Sequence, residues 1–279
     1  MKSRKYKAKL AAMIAVLIVS VATMAAFGTI LAMDWMAARQ GQNFFAEVAV
    51  TQVVMPVGQL FYLPSAASQT GETVRAVQIN TMQEDEASKL VLPVINFDEL
   101  RTSMPNIVGW IQSPGTVINY PIVQGADNDF YLYHLPDGRR NAMGSIFLDY
   151  RNEADFSGTN IFIYGHNMAS GHKFSTLSRY ESHEFFMNHG TMFIFAPHGN
   201  YALVIFAGYN IDSSVEHPPM YFADEAAFDR YIADLRRRSF IRSDAEVSYG
   251  DRLVFLCTCV FMEDSPWRRI VVGRLMPLD

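Results

Sequence analysis

Cysteine is scarce in this sequence: only Cys257 and Cys259 occur among 279 residues. Two cysteines exclude a disulfide-stapled scaffold and a zinc site built from four cysteines. Glycine (17 residues) and proline (12 residues) are too few for a collagen-like repeat, and charged residues make up only 18% against 50% hydrophobic residues. That balance excludes intrinsic disorder, and a coiled coil over most of the length. The chain is therefore globular, with room for one sizeable domain and additional segments.

Acidic side chains are absent from the first 33 residues, which carry five basic ones. The rest of the chain holds 18 basic and 28 acidic residues, a formal net charge of −10. A chain with this negative charge is poorly suited to bind the phosphate backbone of a nucleic acid. We therefore expect no nucleic-acid partner.

The sequence has one long hydrophobic run, the 24 uncharged residues from Leu10 to Met33. A helix of that length spans about 36 Å, which is enough to cross the hydrocarbon core of a bilayer with some tilt. Because the basic residues precede the run, the positive-inside rule places residues 1–9 in the cytoplasm as a basic tail. Residues 10–33 are then a single transmembrane signal-anchor, and everything downstream is extracytoplasmic. The alternative is a secretory signal that is cleaved near Met36–Ala38.

Beyond the membrane segment, the composition changes near residue 95. Residues 34–94 are predicted to be an extracytoplasmic stalk with some helix, whereas residues 95–279 contain short β-type runs between turn clusters. That many short strands favours a closed barrel or a sandwich. The predicted strands are Val117–Val123, Ser145–Tyr150, Asn160–Tyr164, Met192–Phe195, Tyr201–Tyr209, Leu253–Val260 and Arg269–Leu275.

Two helices are predicted among these strands. Within residues 223–238, four apolar residues recur at i, i+3, i+4 and i+7. Acidic residues open this segment and three arginines close it, as the helix dipole favours. The four apolar residues are Phe228, Tyr231, Ile232 and Leu235. A shorter helix is predicted at about Asn96–Ser103.

The candidate reactive groups are the two cysteines and a histidine. Cys257 and Cys259 lie two apart on a β-type run, so their side chains face the same side. A cysteine nucleophile needs a nearby imidazole or other cation to form its thiolate. His166 follows an apolar run and a glycine, at a strand end of the kind where barrels present functional side chains. Arg268 or Arg269, at the head of the last strand, is a candidate cation for an oxyanion.

Other interpretations of these residues stay open at this point. The cysteines could be small core residues, or a disulfide strained by a Cα separation of about 6.5–7 Å. Together with His166 and His172 they could bind zinc, although neither pair has a familiar ligand spacing. His166 could be hydrogen-bonded scaffolding, and the arginines could be a solvated strand end.

Three motifs in a fixed order carry a family resemblance. Tyr164–Met168 (Tyr-Gly-His-Asn-Met), Leu256–Cys259 (Leu-Cys-Thr-Cys) and Arg269–Val272 follow one another behind the membrane segment. The chain resembles the sortase family of bacterial cysteine transpeptidases, class B most closely, from about Asn96 to Leu275. Histidine and cysteine are 93 residues apart, and Arg269 lies 10 residues after Cys259. The resemblance extends to Asn106–Ile111, Tyr120–Gln124, Asp127–Leu132, Gly144–Asp149 and Gly165–Gly171.

The resemblance implies a fold and a set of roles. The fold would be mainly β, an eight-stranded sortase-type barrel with an N-terminal helical part and an inserted helix at residues 223–238. Cys259 would be the nucleophile, His166 the acid/base partner, and Arg269, preferred over Arg268 on spacing, the cation for the oxyanion. Asn128, Leu132 and Tyr164 match positions that line the substrate groove in the family. Cys257 replaces a serine of the family motif beside the nucleophile, so it would face the same groove.

The resemblance also implies a reaction. Cys259 would cleave an Asn-Pro-x-Thr-type sorting signal after its Thr, near the carboxyl end of a surface protein, and form a thioester. An amine of a lipid-linked peptidoglycan precursor would then take the protein, at the outer face of the membrane. No metal or organic cofactor is expected. The alternatives are a cysteine endopeptidase with water as acceptor, a pilin polymerase with a lysine as acceptor, and a degenerate binding module.

Overall fold

The computed structural model describes residues 2–51, 53–54, 93–259 and 265–278. Most of the predicted stalk, residues 55–92, lies outside the described residues, and so does Val260, the last residue of a predicted strand. The division of the chain near residue 95 stays a prediction.

Helices and strands of the described residues follow in chain order. The helices are α1 (Lys2–Thr51), α2 (Phe97–Ser103), α3 (His183–His189) and α4 (Glu225–Arg238), with 3₁₀ helices at Phe130–Leu132 and Phe174–Glu181. The strands are β1 (Val53–Val54), β2 (Val94–Ile95), β3 (Ile107–Gln112), β4 (Asn119–Gln124), β5 (Ile146–Leu148), β6 (Asn160–Tyr164), β7 (Thr191–Ala196), β8 (Gly199–Asp212), β9 (Arg252–Cys259) and β10 (Trp267–Leu278).

Strands β3 to β10 form a closed barrel in the order β10-β8-β7-β3-β4-β5-β6-β9. Neighbouring strands run antiparallel except for the pairs β4–β5 and β6–β9, which are parallel. Strands β1 and β2 pair in a separate two-stranded sheet. The prediction of an eight-stranded barrel is confirmed, and the sandwich alternative is wrong.

Seven of the eight barrel strands coincide with predicted runs to within about three residues, and β3 is the exception. Its glycine, Gly109, gives no strand signal, because glycine weakens a strand interior. In the structure this glycine allows a close approach: a Cβ there would lie 2.9 Å from Cζ of Phe156 and 3.0 Å from the carbonyl oxygen of Phe195. The register with β4 also shifts between Ile107 and Gly109, which marks a bulge.

The predicted inserted helix is confirmed as α4. The side chain of Asp224 caps its amino end by accepting a hydrogen bond of 2.7 Å from the backbone N–H of Ala227. Its buried residues Phe228, Ile232 and Leu235 pack on the outer face of the barrel, where β8, β9 and β10 meet. The loop that precedes α4 lies beside the carboxyl end of β9.

The predicted short helix is α2, and Asn96 caps it by accepting from the N–H of Glu99. Helix α3 was not predicted from the sequence. Ser182 caps α3, and Phe185 and Phe186 anchor it in the core.

Helix α1 includes the uncharged run and continues to Thr51. Its later part contacts the barrel: the Asn141 side chain donates to the carbonyl of Ala37 (2.7 Å), and the ring of Phe45 packs edge-on against Tyr120. Across the residues described, we find no helix with enough apolar length for a membrane crossing.

Candidate active site

One cavity of about 600 Å³ opens on the outer face of the barrel beside the carboxyl ends of β6 and β9. Strand β10 and the loop between β8 and α4 complete its walls. The cavity brings together six of the seven residues to which the resemblance assigns a role, and it contains Arg268 in place of Arg269. These residues are Asn128, Leu132, Tyr164, His166, Cys257, Cys259 and Arg268.

Cys259 is the last residue of β9 and is partly exposed. The parallel pairing of β9 with β6 places Cys257 opposite Tyr164. Two further hydrogen bonds extend this pairing: the N–H of Gly165 donates to the carbonyl of Cys257 (3.1 Å), and the Asn167 side chain donates to the carbonyl of Cys259 (2.9 Å). The segment that carries His166 is thus bound on both sides to the strand that carries the cysteine.

His166 is buried, with 8% of its surface exposed. Its Nε2 lies 2.7 Å from the carbonyl oxygen of Leu132. Because a carbonyl only accepts, Nε2 must carry a proton there, which leaves Nδ1 as the nitrogen for proton transfer. Leu132 was predicted to contact substrate, and in the structure its backbone also positions the imidazole.

The glycine before the histidine is required by close packing. A Cβ at Gly165 would lie 2.3 Å from Cδ1 of Ile146 and 2.9 Å from the ring of Phe174. The N–H of Phe174 in turn donates to the carbonyl of His166 (3.0 Å). The turn that presents the histidine is therefore packed tightly on both sides.

The structure places Arg268, and not Arg269, in the cavity. Arg268 is the direct cross-strand partner of Cys259, and residues that face each other across two strands project to the same face. Arg269 pairs with Thr258 and projects to the other face. The alternation of side chains along β10 thus separates the two arginines, and the role of Arg269 expected from the ten-residue spacing stays a prediction.

Arg269 is engaged on that other face. It is buried, and its guanidinium donates to Glu181 (2.5 Å) and to the side chain of Asn210 (3.2 Å). Glu181 ends the 3₁₀ helix that begins at Phe174. Arg269 therefore ties β10 to β8 and to the segment behind the histidine.

The sequence analysis did not single out Asp149, whose side chain is fully buried at the cavity wall. It accepts hydrogen bonds from Asn128 Nδ2 (3.0 Å), from the Tyr164 hydroxyl (2.9 Å), and from Arg151 through Nε (2.9 Å) and a terminal nitrogen (2.7 Å). Burial raises the pKa of Asp149, but these hydrogen bonds outweigh it and lower the pKa overall. Asp149 lies within the quoted Gly144–Asp149 motif, which was the only signal available.

Burial, with the charge of Asp149 nearby, raises the pKa of the Cys257 thiol well above its usual value. The pKa of Tyr164 is also raised, chiefly by burial. Both groups therefore stay protonated at neutral pH, and Cys257 is a packing residue of the cavity floor rather than a second nucleophile. No disulfide joins Cys257 to Cys259.

The zinc alternative has no support in the structure. Within residues 2–51, 53–54, 93–259 and 265–278, no group of three or more His, Cys, Asp or Glu side chains is arranged to hold a metal ion. Cys257, Cys259, His166 and His172 all lie in these ranges.

Comparison with curated proteins identifies two similar sequences. Sortase B of Listeria monocytogenes is 36% identical to this chain over 183 residues, which cover 64% of this chain and 74% of that protein. Sortase B of Staphylococcus aureus is 31% identical over 176 residues, with coverage of 63% and 72%. No family model matches the chain.

Comparison with solved structures gives the same result. A sortase B–substrate complex from Staphylococcus aureus is 30% identical with a TM-score of 0.62, and the match covers 66% of this chain and 85% of that one. Sortase B from Bacillus anthracis is 26% identical with a TM-score of 0.67 and coverage of 88% and 100%. A sortase B structure complexed with triglycine is 29% identical, with a TM-score of 0.60 and coverage of 66% and 86%.

The two cysteines should differ in reactivity. A thiol with a raised pKa holds less thiolate at any given pH, so we expect iodoacetamide to label Cys259 at least about tenfold faster than Cys257 between pH 7 and 9. Peptide mass spectrometry of the folded protein measures both rates. The Cys257→Ser variant should keep the fast label and Cys259→Ala should lose it, while urea should make both wild-type thiols react. Equal labelling of the folded protein would contradict the assignment.

Proposed function

Because this chain belongs to the class B sortases, which are cysteine transpeptidases, we propose that it anchors exported proteins to peptidoglycan. Its substrate is a protein with an Asn-Pro-x-Thr-type signal near the carboxyl end. The observation that carries the proposal is the shared cavity that holds Cys259, His166 and Arg268 together with the groove residues Asn128 and Tyr164.

In the first half of the reaction, the Cys259 thiol passes its proton to Nδ1 of His166 and the thiolate attacks the Thr carbonyl carbon. Arg268 stabilises the tetrahedral oxyanion from the face it shares with Cys259. The C–N bond then breaks, and Nδ1 of His166 returns the proton to the leaving amine. The product is a thioester between Cys259 and the Thr carbonyl.

In the second half, an amine attacks the thioester and Nδ1 of His166 accepts its proton. Collapse of the intermediate releases the Cys259 thiolate, and the new amide joins the surface protein to the acceptor. The carbonyl of Leu132 holds Nε2–H throughout, so the ring exchanges protons only through Nδ1. Cys257, Tyr164 and Phe162 line the cavity in which the thioester would lie.

Two relatives support the choice of substrate and acceptor. The Staphylococcus aureus protein was solved with a substrate, and a sortase B structure was solved with triglycine, a peptide with a terminal amine. For this chain the proposed acceptor is an amine of a lipid-linked peptidoglycan precursor.

The proposed location follows from the sequence. The uncharged residues 10–33, flanked by five basic residues on the amino side, would anchor the chain as a single transmembrane helix with residues 1–9 in the cytoplasm. Residues 34–94 would then be a stalk, and residues 95–279 the catalytic domain facing the wall. This placement brings the enzyme to the surface where exported substrate and lipid-linked acceptor meet.

The proposed reaction predicts that an acyl-enzyme intermediate forms on Cys259 and can be detected. Residues 34–279, incubated with an Asn-Pro-x-Thr-type peptide library, should show a mass increase on Cys259 that is absent in Cys259→Ala. Adding a wall-like amine such as triglycine should convert the adduct to an amine-linked product. Release of free acid alone, even with amine present, would indicate an endopeptidase. No adduct with any peptide in a folded, reduced sample would indicate a binding module.

Substitutions of Arg268 and Arg269 should have different effects on kcat and on the free energy of unfolding. Arg268→Gln should lower kcat about 10²–10³-fold, the usual cost of removing an oxyanion donor, with little change in the unfolding midpoint. Arg269→Gln should lower the free energy of unfolding by about 1–3 kcal/mol, because it removes a buried guanidinium that is hydrogen-bonded to Asn210 and Glu181, while keeping most of kcat. Peptide turnover and urea unfolding measure both. The reverse pattern would restore Arg269 as the oxyanion cation.

The anchor is tested by fractionation. The full chain should sediment with membranes and resist extraction by carbonate, whereas a chain starting at residue 34 and exported by a cleavable signal should be released. Mass spectrometry of the mature amino terminus distinguishes retention from cleavage near Met36–Ala38. A soluble full-length chain would contradict the anchor.

A further inference from the structure

Lys173 is a buried lysine that the proposed reaction does not use. The residue is fully buried, and within the described part of the chain its Nζ has no hydrogen-bond partner. Nζ lies 3.2 Å from the centroid of the Phe45 ring and 4.7 Å from that of the Tyr120 ring. Burying a charged amine without a hydrogen-bond partner costs free energy that contact with aromatic faces only partly returns. Packing alone would not require a nitrogen at this position.

The backbone of Lys173 is strained as well. Its φ of 58° and ψ of −128° lie in a region that residues other than glycine rarely adopt. Such a conformation persists only where the surroundings fix it. Here the N–H of Lys173 donates to the Tyr120 hydroxyl (3.2 Å), and Phe45 and Tyr120 enclose the side chain. The buried side chain is therefore part of what holds this backbone conformation.

Lys173 closes the turn that carries His166, residues 165–174, which we call the histidine turn. Asn167 and Lys173 face each other in an antiparallel bridge. The N–H of Phe174, the residue after Lys173, donates to the carbonyl of His166 (3.0 Å). The Asn167 side chain donates to the carbonyl of the last residue of β9 (2.9 Å). A movement of Lys173 would therefore displace the backbone that presents the imidazole.

Helix α1 covers the amine of Lys173. It approaches the barrel closely at Gly41, where a Cβ would lie 2.6 Å from Sδ of Met143. About one helical turn later, the Phe45 ring lies over Nζ of Lys173, so undocking of α1 would expose the amine to water. Because α1 also contains residues 10–33, the proposed anchor and the cover of the amine lie on one helix.

We propose that Lys173 is a positioning residue for His166, which links docking of α1 to the geometry of the histidine turn. While Phe45 covers the uncharged amine, Lys173 stays over Tyr120 and the turn keeps its shape. When α1 moves away, the amine takes up water and a proton from solvent, its side chain leaves the pocket, and the strained backbone relaxes. This inference rests on the proposed function, which gives His166 its part in acyl transfer.

The burial of the amine gives this link a pH dependence. Burial lowers the pKa of Lys173 well below its usual value. The docked state therefore binds fewer protons than the undocked state. Docking is strongest above the usual lysine pKa, weakens as pH falls, and reaches its minimum below the lowered pKa.

Other ionisable side chains lie on the segments around Lys173. They are Tyr120 on β4, Arg39 and Glu47 on α1, Arg139 in the loop before β5, and His166 and His172 in the histidine turn. Tyr120 is a neutral phenol, since burial raises its pKa. Arg39 and Glu47 are exposed, and the guanidinium of Arg139 lies over the Phe44 ring. The amine itself meets the faces of two uncharged rings.

Hydrogen exchange of α1 in the full chain, held in detergent, tests the pH dependence. In the wild type, the protection factors of amides 36–48 should fall at least about tenfold between pH 9 and pH 7, because undocking takes up a proton on Lys173. Lys173→Met keeps the length of the side chain without the amine, so its protection factors should change less than about twofold. Equal pH dependence in both proteins would overturn the proposal.

Arg179→Met is the matched control for this measurement. Arg179 lies on the 3₁₀ helix that follows Lys173, and its guanidinium lies 4.3 Å from the centroid of the Phe185 ring. Unlike Lys173 it is exposed. The control should therefore show the pH dependence of the wild type.

Peptide turnover at pH 7 tests whether the link reaches His166. Phe45→Ala uncovers the amine, so kcat should fall at least about tenfold while KM changes less than about threefold. Adding Lys173→Met to Phe45→Ala should restore kcat to within about threefold of the wild type, because an apolar side chain stays buried over Tyr120 without its cover. A purely structural effect of Phe45 would not be rescued in this way.

Each outcome has a separate meaning. If the wild type forms no acyl-enzyme, the proposed function fails and the role for His166 fails with it. If the wild type reacts but Phe45→Ala keeps the wild-type kcat, or Lys173→Met does not rescue Phe45→Ala, only this inference is overturned. If Phe45→Ala does not fold, hydrogen exchange of the wild type and Lys173→Met decides alone.

Discussion

The candidate site depends on the parallel pairing of β6 with β9. Parallel strands end at the same edge, so the pairing of Tyr164 with Cys257 brings the histidine turn and the cysteine to one level of the barrel. The hydrogen bonds from Gly165 and Asn167 carry the pairing past the strand ends. Residues 93 apart in sequence thus share one rigid frame, which a reaction sensitive to sub-ångström placement requires.

The same frame determines which arginine shares a face with Cys259. In a strand, neighbouring residues face opposite sides, so a shift of one position moves a side chain from the cavity to the far face. The sequence between Cys259 and Arg268 has no periodicity that could reveal which of Arg268 and Arg269 lies opposite Cys259. Only the register between the strands contains that information, and it is a tertiary property.

The sequence predicted the barrel, seven of its strands, α4, and a group of residues that do meet in one cavity, because period-two runs and ordered motifs are local signals. It missed β3, where Gly109 serves a contact with Phe156, and it missed Asp149. A carboxylate in a Leu-Asp-Tyr run looks like an ordinary surface residue. Its importance comes from Asn128 and Tyr164, which are distant in sequence and converge on it only in the folded chain.

Charged side chains on the two faces of the barrel wall have different hydrogen-bond partners. On one face Arg269 bonds Glu181 and Asn210, which joins β10 to β8 and to the 3₁₀ helix that ends at Glu181. On the other, Asp149 and Arg151 pair at the edge of the cavity. Arg268 has backbone carbonyls as its hydrogen-bond acceptors, those of Ser265 and Trp267. Carbonyls hold its guanidinium without cancelling its charge, as the proposed stabilisation of an oxyanion would require.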